Sequence, residues 1–387
     1  MLALGCLDPH PIHSAPVLPN RRTTIAGLLF VVLMPTILLA PSLFGARTFV
    51  PFDIAEFAPV ATMLSQEDLE RVREGANHDP TEVVLTFIPE LRFARQELAA
   101  GRIPHWNPHS RIGAPLQSTA VVGLDYPPNW LVLAYQDPRD GLALGAWLSF
   151  VIAGLLMFGF LSSLGLGTAA VTFGALAFAI SGTLVAQAHF YQRLAVLVWL
   201  PGLLWGVRAI ARSEPASWLA VVGLSSCVAM TWLSGFPQYG APAFLVTGVF
   251  AVACLFGREG WRARLRGGCW LGFGFVLGTA AAGALLAPMA EFFPESSRGA
   301  EPTAGSLAQV AMGPAGFLGW VMPSVFGHPH LGAELPYDRS AMAYWLLSRP
   351  SWEDVGVPTP TAWNFICLLY TSPSPRDRTR SRMPSSA

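Results

Sequence analysis

The sequence predicts an all-α, polytopic integral membrane protein. Hydrophobic residues make up 52% of the 387 residues, charged residues make up 12%, and the mean hydropathy is +0.45, whereas soluble domains carry about 25% charged residues. Seven stretches are apolar and long enough to cross a bilayer, which takes about 20 residues each. Those stretches are residues 25–44, 141–161, 166–185, 194–210, 218–233, 239–256 and 270–290. They predict a transmembrane domain over residues 25–290.

The identity of the first span and the boundary between the second and third spans are less clear from the sequence than the other spans. The first span follows Arg21 and Arg22, so it could be a cleaved signal peptide. Its generous apolar length, and the lack of a clean small-x-small cleavage site after it, favour a retained anchor. The second and third spans lie in one uncharged run, in which only "SSLGLG", residues 162–167, offers a turn.

Arginines in the short connections set the predicted orientation, because positive residues resist translocation. If the spans alternate, residues 1–24 are a cytoplasmic segment, and the loop 45–140, the turns "AQAHFYQR" and "LSGFPQYG", and the segment 291–366 are extracytoplasmic. Three arginine clusters then fall on the cytoplasmic side: Arg21 and Arg22, Arg208 and Arg212, and Arg258, Arg262, Arg264 and Arg266.

Two short helices are predicted within the large first loop, 45–140. In "SQEDLERVREG", Ser65 can cap a helix, Asp68 can complete a capping box and Gly75 can end the helix. A second helix is predicted over residues 90–100, followed by Gly101. Around it, apolar residues recur at spacings of three, four and seven: Val84, Phe87, Ile88, Leu91 and Leu98. This pattern predicts interfacial helices that lie on the membrane.

The end of the chain differs in composition from the rest. The string "CLLYTSPSPRDRTRSRMPSSA", residues 367–387, is rich in Ser, Pro and Arg and resembles translated sequencing-adapter read-through. A disordered native tail is the alternative. We therefore expect residues 367–387 to be non-native, the segment 291–366 to be truncated near Ile366, and further spans to follow in the uninterrupted protein.

Three acidic residues of the first loop are site candidates: Asp53 and Glu82 for catalysis, and Asp79 for substrate binding. Asp53 closely follows the first span, and a carboxylate held near the interface can be partly desolvated and act as a base towards a hydroxyl. A solvated loop acid or a helix cap is the alternative. Asp79 and Glu82 can share one helix face, but they also suit a helix N-terminus, where the macrodipole favours negative charge.

Several predicted extracytoplasmic segments supply a polar lining. Arginines beside a membrane could hold a lipid phosphate by forked hydrogen bonds, although interfacial anchoring is the alternative for each residue. The candidate substrate contacts, in chain order, are Asp79, Trp106, Asn107, Gln117, Asp125, Tyr126, His189, Gln192, Arg193, Gln238 and Arg298.

Other classes of function lack their sequence signals. The net charge is zero and no basic stripe occurs, which removes the case for a nucleic-acid partner. Histidines cluster near both ends of the chain, but the lack of acids at ligand spacing makes a metal site a weak prediction. No phosphate-binding loop, nucleophile elbow or His-Glu-x-x-His motif occurs, and no cofactor is predicted.

The motifs of the first loop carry a family resemblance. The run "TFIPELRFARQELAAGRIPHWNPHSRIGAPLQS", followed by "DYPPNWL", resembles the signature of YfhO-type bacterial membrane proteins. In that signature a Pro, a helix, Gly-x-x-Pro-x-Trp-Asn-Pro and Gly-x-Pro follow the first span. The stretches "VWLPGLLWGVR" and "LSGFPQYG" also match in order and spacing, and the resemblance covers residues 49–332.

The resemblance implies a glycosyltransferase of the GT-C type, because YfhO-type proteins are similar to that superfamily of multispan enzymes. The implied partners are a polyprenyl-phosphate sugar donor, membrane lipids and an envelope glycan, lipid or protein acceptor, at the outer face of the bacterial inner membrane. An acid of the first loop is the expected base, and Asp53 occupies a suitable place. Family members carry an Asp seven residues before the Pro that corresponds to Pro89. That position is Glu82 here, so its role stays open and Asp79 could replace it. Arg193 or Arg298 could stabilise the leaving phosphate.

Two alternatives to a hexosyltransferase remain: a transporter or flippase of lipid-linked sugars, and a non-catalytic scaffold in envelope assembly. Transporters often place charges or broken helices at the bilayer midplane, in repeated halves. The middles of the predicted spans carry no acid or arginine, and the sequence shows no internal repeat. These observations favour chemistry at the membrane surface over transport.

Overall fold

The structure is a computed structural model that describes residues 21–45, 47–51, 53, 55, 60–73, 82–110, 113–213 and 217–296. The chain divides into two compact units, Met1–Phe293 and Pro294–Ala387, and only the first three residues of the second unit are among those described. Helices dominate the described part of the first unit. This confirms the prediction of an all-α protein.

The α-helices are named here in chain order. They are α1 (Arg21–Leu43), α2 (Gln66–Arg73), α3 (Ile88–Ala99), α4 (Leu116–Thr119), α5 (Trp130–Leu133), α6 (Pro138–Ser163), α7 (Thr168–Ala179), α8 (Gly182–Ala186), α9 (Tyr191–Leu197), α10 (Leu200–Arg212), α11 (Trp218–Leu233), α12 (Pro237–Phe256), α13 (Trp261–Ala281) and α14 (Gly283–Phe292). A π-helical turn, Val83–Phe87, precedes α3, and 3-10 turns cover Val60–Met63, Pro127–Asn129, Ala188–Phe190 and Phe293–Glu295. Two short strands, β1 (Trp106–Asn107) and β2 (Ala114–Pro115), pair antiparallel.

Five helical segments in the described part of the chain are long and apolar enough to cross a membrane: Arg21–Leu43, Pro138–Ser163, Thr168–Ala186, Ala188–Arg212 and Pro237–Phe256. The number rises to six if the bent pair α13 and α14 forms one span. The chain is therefore a multi-pass membrane protein by helix length and composition. Each of the seven predicted spans coincides with helix, but α11 has only 16 residues and is shorter than the other candidates.

The last predicted span, 270–290, is not one straight helix. Between α13 and α14 the axis bends by 71°, and the break falls at Ala282 in the run "GTAAAGA". Gly283 follows the break directly and Pro288 lies further along α14. Glycine is a weak helix former and proline cannot donate a helical hydrogen bond, so both residues favour a kink here. By contrast, the predicted turn "SSLGLG" is confirmed: α6 ends at Ser163 and Gly165 takes a φ of +80°, the usual glycine position after a helix end.

Small residues bring the long helices close together, as in other helical membrane proteins. Gly154 of α6 lies so near α1 that a Cβ there would stand 2.5 Å from Cγ1 of Val31. A Cβ at Gly206 of α10 would stand 2.9 Å from Cβ of Leu224 on α11. The largest apolar core lies where α3, α6 and α9 meet, and Phe150 of α6 is fully buried in it.

The arginine clusters gather at one end of this bundle, as the predicted alternation requires. The Arg208 guanidinium donates to the Ser163 carbonyl at 3.2 Å (Nη2), and Arg258 Nη1 donates to the Ile210 carbonyl at 3.4 Å. Near the start of α1, Gly27 packs against Thr172 in the first turns of α7. These contacts join the connection after α6, the ends of α10 and α12, and the start of α1.

Within the first loop, the predicted helices form but their setting differs from the prediction. Ser65 Oγ accepts from the Asp68 N–H at 3.1 Å and donates to Asp68 Oδ2 at 2.6 Å, which confirms Ser65 as the cap of α2 and Asp68 as its partner. The carboxylate accepts from the Ser65 hydroxyl, whereas in a capping box it accepts from the backbone N–H of the cap residue. The predicted end at Gly75 lies outside the described residues. The apolar stripe beside α3 was expected to rest on the membrane. Instead Phe87 and Leu91 are fully buried in the protein core, because α6 and α9 cover that face.

Candidate functional site

The first loop and the two predicted extracytoplasmic turns come together at one end of the bundle. The arginine clusters described above lie at the other end. The Phe49 ring stacks on His189 with a centroid distance of 4.7 Å and an interplanar angle of 17°. The Phe87 ring meets Phe190 at 5.2 Å, and Phe190 in turn meets Phe236 at 5.3 Å. Aromatic contacts of this kind stabilise the junction beyond the area that they bury. The loop is therefore packed onto the turns.

An ion pair between Glu82 and Arg193 spans this junction. Arg193 Nη2 donates to Glu82 Oε2, and the guanidinium carbon lies 4.3 Å from the Phe190 ring centroid and 5.7 Å from that of Phe236. The pair brings together two of the predicted site residues, one from the loop and one from α9. The flat guanidinium is well suited to such stacking.

Local structure explains why these two side chains meet. Val83 and Phe87 in the π-helical turn are buried, which holds the preceding Glu82 at the surface with its side chain 66% exposed. Arg193 lies in the first turn of α9, directly after the 3-10 turn that carries Phe190. Its side chain is 25% exposed, and its Nε is buried with no hydrogen-bond partner among the described residues.

Asp53, the predicted base, is exposed, so the expected partial desolvation of its carboxylate is not seen. Its Oδ1 accepts a hydrogen bond from the Ala55 N–H at 2.9 Å, and its carboxylate lies within electrostatic range of Arg139 at the start of α6. The two predicted acids therefore have different partners: Asp53 lies near Arg139, whereas Glu82 pairs with Arg193.

A second acid beside Arg139 has a structural role. Asp137 caps α6 and is held by Arg92 Nη2 at 2.6 Å and Arg139 Nη2 at 2.8 Å. Partial burial would raise its pKa, but the hydrogen bonds from both arginines outweigh burial and hold the pKa of Asp137 well below its usual range. Asp137 therefore stays ionised and ties α3 to the start of α6.

A polar cluster joins the loop to the bend between α13 and α14. The Gln117 amide nitrogen lies 3.3 Å from Asp125 Oδ2 and 3.4 Å from the Ala284 carbonyl. The Gln117 amide oxygen lies 2.7 Å from His105 Nδ1. Two predicted substrate contacts, Gln117 and Asp125, are thus hydrogen-bonded to each other.

The hairpin formed by β1 and β2 contains two further candidates. Trp106 pairs with Pro115 across the strands; its side chain is 55% exposed and lies over Gly113, where a Cβ would stand 2.8 Å from Cε2 of the indole. Asn107 is buried, and its Oδ1 accepts from the His109 N–H at 2.9 Å. Asn107 shapes the turn, whereas Trp106 presents an aromatic surface at the same end.

The remaining candidates differ in position: two are buried, one is exposed, and two lie outside the described residues. Tyr126 is buried and its hydroxyl accepts from Trp199 Nε1 at 3.2 Å; burial raises the pKa of Tyr126 well above its usual range, so the phenol stays protonated. Gln192 is fully buried, and its amide makes no hydrogen bond with the residues that the structure describes. Gln238 is exposed in the first turn of α12. Asp79 and Arg298 lie outside the described residues.

Two buried polar residues, Asn129 and Glu90, are not among the candidates predicted from the sequence. Asn129 is fully buried: its Nδ2 donates to the carbonyls of Val122 at 2.6 Å and Gly123 at 3.0 Å, and its Oδ1 accepts from the Tyr191 hydroxyl. It lies in "DYPPNWL", so the motif contained the signal. Glu90 of α3 is 8% exposed and its Oε2 has no partner among the described residues.

Burial raises the pKa of Glu90 to about 7 because an apolar environment disfavours the charged carboxylate. The side chain shares a helix face with Phe87 and Ala94, both fully buried. The prediction of the apolar stripe counted only apolar residues at helical spacing, so it did not consider Glu90, which lies between Phe87 and Ala94. This acid is the residue that an inspection of the stripe for polar interruptions would have found.

The described residues contain no group of three or more His, Cys, Asp or Glu that could hold a metal ion. Comparison of the chain with protein families, with curated proteins and with solved structures gives no match. The fold defines a multi-pass helical membrane protein. Its first loop packs on the turns at one end of the helix bundle.

Proposed function

We propose that the protein is a GT-C-type hexosyltransferase of the bacterial inner membrane, with a cytoplasmic N-terminus and the packed loop outside. It transfers a sugar from a polyprenyl phosphate to an envelope glycan, lipid or protein. The observation that carries the proposal is Arg193, a cation fixed on two aromatic rings at the same end of the bundle as the loop acids. The resemblance of the loop motifs to YfhO-type proteins supports it.

The proposed reaction needs a base and a stabilised leaving group. Asp53 takes the proton from the acceptor hydroxyl as the oxygen of that hydroxyl attacks the anomeric carbon. The bond from that carbon to the phosphate oxygen breaks, and the electron pair leaves with polyprenyl phosphate. Arg193 stabilises this anion through charge-assisted hydrogen bonds. Asp53 is exposed and can meet an acceptor that arrives from the aqueous phase.

Glu82 is the second acid of the proposed site, and its ion pair places it directly beside the phosphate-binding cation. Trp106 offers an exposed aromatic face of the kind on which a sugar ring can lie. Gln117 and Asp125 supply neighbouring hydrogen-bonding groups. We propose that Trp106, Gln117 and Asp125 contact the substrate.

A flippase of lipid-linked sugars is the second candidate, and one observation favours it. Helices α13 and α14 form a broken pair with a 71° bend, and transporters often build their sites from discontinuous helices. A flippase would move the lipid-linked sugar across the bilayer without breaking its glycosidic bond. The two functions therefore differ in their products.

The deciding experiment supplies the purified full chain, in liposomes, with radiolabelled polyprenyl-phosphate hexose and a membrane extract as acceptor. We expect the label to reach the acceptor, and Asp53→Asn to reduce the rate by at least about 100-fold, as loss of a general base does. Asp140→Asn is the matched control, because Asp140 is also an exposed acid near Arg139. Transfer that Asp53→Asn leaves unchanged would refute Asp53 as the base. Movement of intact donor without transfer would identify a flippase.

A further inference from the structure

Arg193 has hydrogen-bond donors that its ion pair with Glu82 does not use. Its guanidinium is fixed by Phe190 at 4.3 Å and by Phe236 at 5.7 Å. Only the bond from Nη2 to Glu82 is seen among the described residues, and Nε is buried without a partner. An arginine has five N–H donors in a rigid fork that matches a phosphate. The side chain is thus positioned before any phosphate arrives.

The two partners of this ion pair are exposed to different degrees. The Arg193 side chain is 25% exposed, whereas that of Glu82 is 66% exposed. The carboxylate therefore lies on the solvent side of the pair and occupies part of the outer edge of the guanidinium. An ion pair with one partner this exposed contributes little to stability. A phosphate that approaches from outside can replace the carboxylate at small cost.

We propose that Glu82 is a displaceable stand-in for the phosphate group of a membrane lipid at Arg193. In this assignment the carboxylate neutralises the cation until a lipid phosphate arrives, and then swings out towards solvent. The exposed position of Glu82 at the start of the π-helical turn allows this movement, while the buried Val83 and Phe87 keep the backbone in place.

This proposal rests on the proposed function, since it takes the anion at Arg193 to be the phosphate of the lipid-linked donor. It predicts that removal of the Glu82 charge strengthens phosphate binding. A Glu82 that instead held the sugar or the acceptor would give the opposite sign or no change, because its loss would remove a contact or leave the phosphate site untouched.

The test measures the dissociation constant of dioctanoyl phosphatidic acid for the purified full chain in detergent micelles, by titration calorimetry at fixed ionic strength. Glu82→Gln should bind about two- to fivefold more tightly than the parent protein, the range expected for loss of a competing exposed ion pair. Arg193→Gln should bind at least about tenfold more weakly. Arg193→Lys, which keeps the charge but loses the fork, should fall between the two.

The matched control is Glu97→Gln, because Glu97 forms an ion pair with Arg102 on the same loop but no aromatic stack on Arg102 is seen in the described residues. We expect it to leave the dissociation constant unchanged. An unchanged or weaker constant for Glu82→Gln overturns the proposal, and so does a Glu97→Gln effect of equal size. Inorganic phosphate that binds as tightly as the lipid overturns the assignment to a lipid.

Sugar transfer measured on the same preparations separates the two proposals. If the binding constants follow the predicted order but no transfer occurs, Glu82 keeps its assigned role and the glycosyltransferase proposal fails. If transfer depends on Asp53 but Glu82→Gln does not tighten binding, the enzyme proposal stands and the displacement does not. Thermal unfolding of each variant identifies any loss of binding that reflects loss of the fold.

Discussion

Glu90 makes stability depend on pH, and Glu90→Gln removes that dependence. The carboxyl group is 8% exposed on the inner face of α3, and its pKa is raised by burial from its ordinary value of 4.5 to about 7. The folded protein therefore holds this proton more tightly than the unfolded chain does. Stability from this group is fully present below pH 4.5 and is lost as the pH rises towards 7.

The size of the effect follows from the two pKa values. Between 4.5 and about 7, each tenfold change in the ionisation equilibrium corresponds to about 1.4 kcal/mol, so the full loss is about 3 kcal/mol. By proton linkage, about 1 kcal/mol of this stability has been lost at pH 5, and the full amount of about 3 kcal/mol has been lost at pH 8. The free energy of unfolding of the parent protein should therefore fall by about 2 kcal/mol more than that of Glu90→Gln between these pH values.

The assay is unfolding of the full chain in detergent micelles at pH 5 and pH 8, followed by far-ultraviolet circular dichroism. The comparison between pH values cancels the constant cost of burying an uncharged amide in place of the acid. Glu70→Gln is the control, because Glu70 is exposed on α2 and the chemical change is the same. Equal pH dependence in the parent protein and Glu90→Gln would refute the reasoning.

Two further substitutions test the packing. Asn129→Ala should destabilise the fold by about 2–4 kcal/mol, because the carbonyls of Val122 and Gly123 lose their buried donor; an unfolding midpoint like that of the parent would contradict this. Gly278→Ala should cost about 1–3 kcal/mol, since its Cβ would stand 2.7 Å from Cβ of Val228. Gly272→Ala on the same helix meets nothing within 4 Å and should be neutral or slightly stabilising, so equal effects would refute the close contact.

The sequence predicted the helices well because a bilayer imposes a simple length and polarity rule. All seven apolar stretches coincide with helix, and Ser65 caps α2 with Asp68 as its partner, as their spacing predicts. The turn at Gly165 also forms where a glycine was available. Local signals of this kind depend on neighbouring residues alone, and the sequence displays them directly.

The sequence could not show which surface covers a given apolar stripe. The face of Phe87 and Leu91 suits a membrane as well as a protein core, and only the fold reveals that α6 and α9 cover it. The pairing of Glu82 with Arg193 joins residues separated by 111 positions, so no spacing rule could predict it. The break at Ala282 is a similar case, because the glycine and the proline that follow it permit a bend without requiring one.

The bond from Gln117 to the Ala284 carbonyl links positions 167 residues apart. A ribosome adds about 5–20 residues each second, so the loop leaves it about 10–30 s before its partner on α14 exists. Until then the His105, Gln117 and Asp125 cluster lacks one of its anchors. The first loop is thus completed only after α13 and α14 have been made, and its assembly reports that this helix pair is in place.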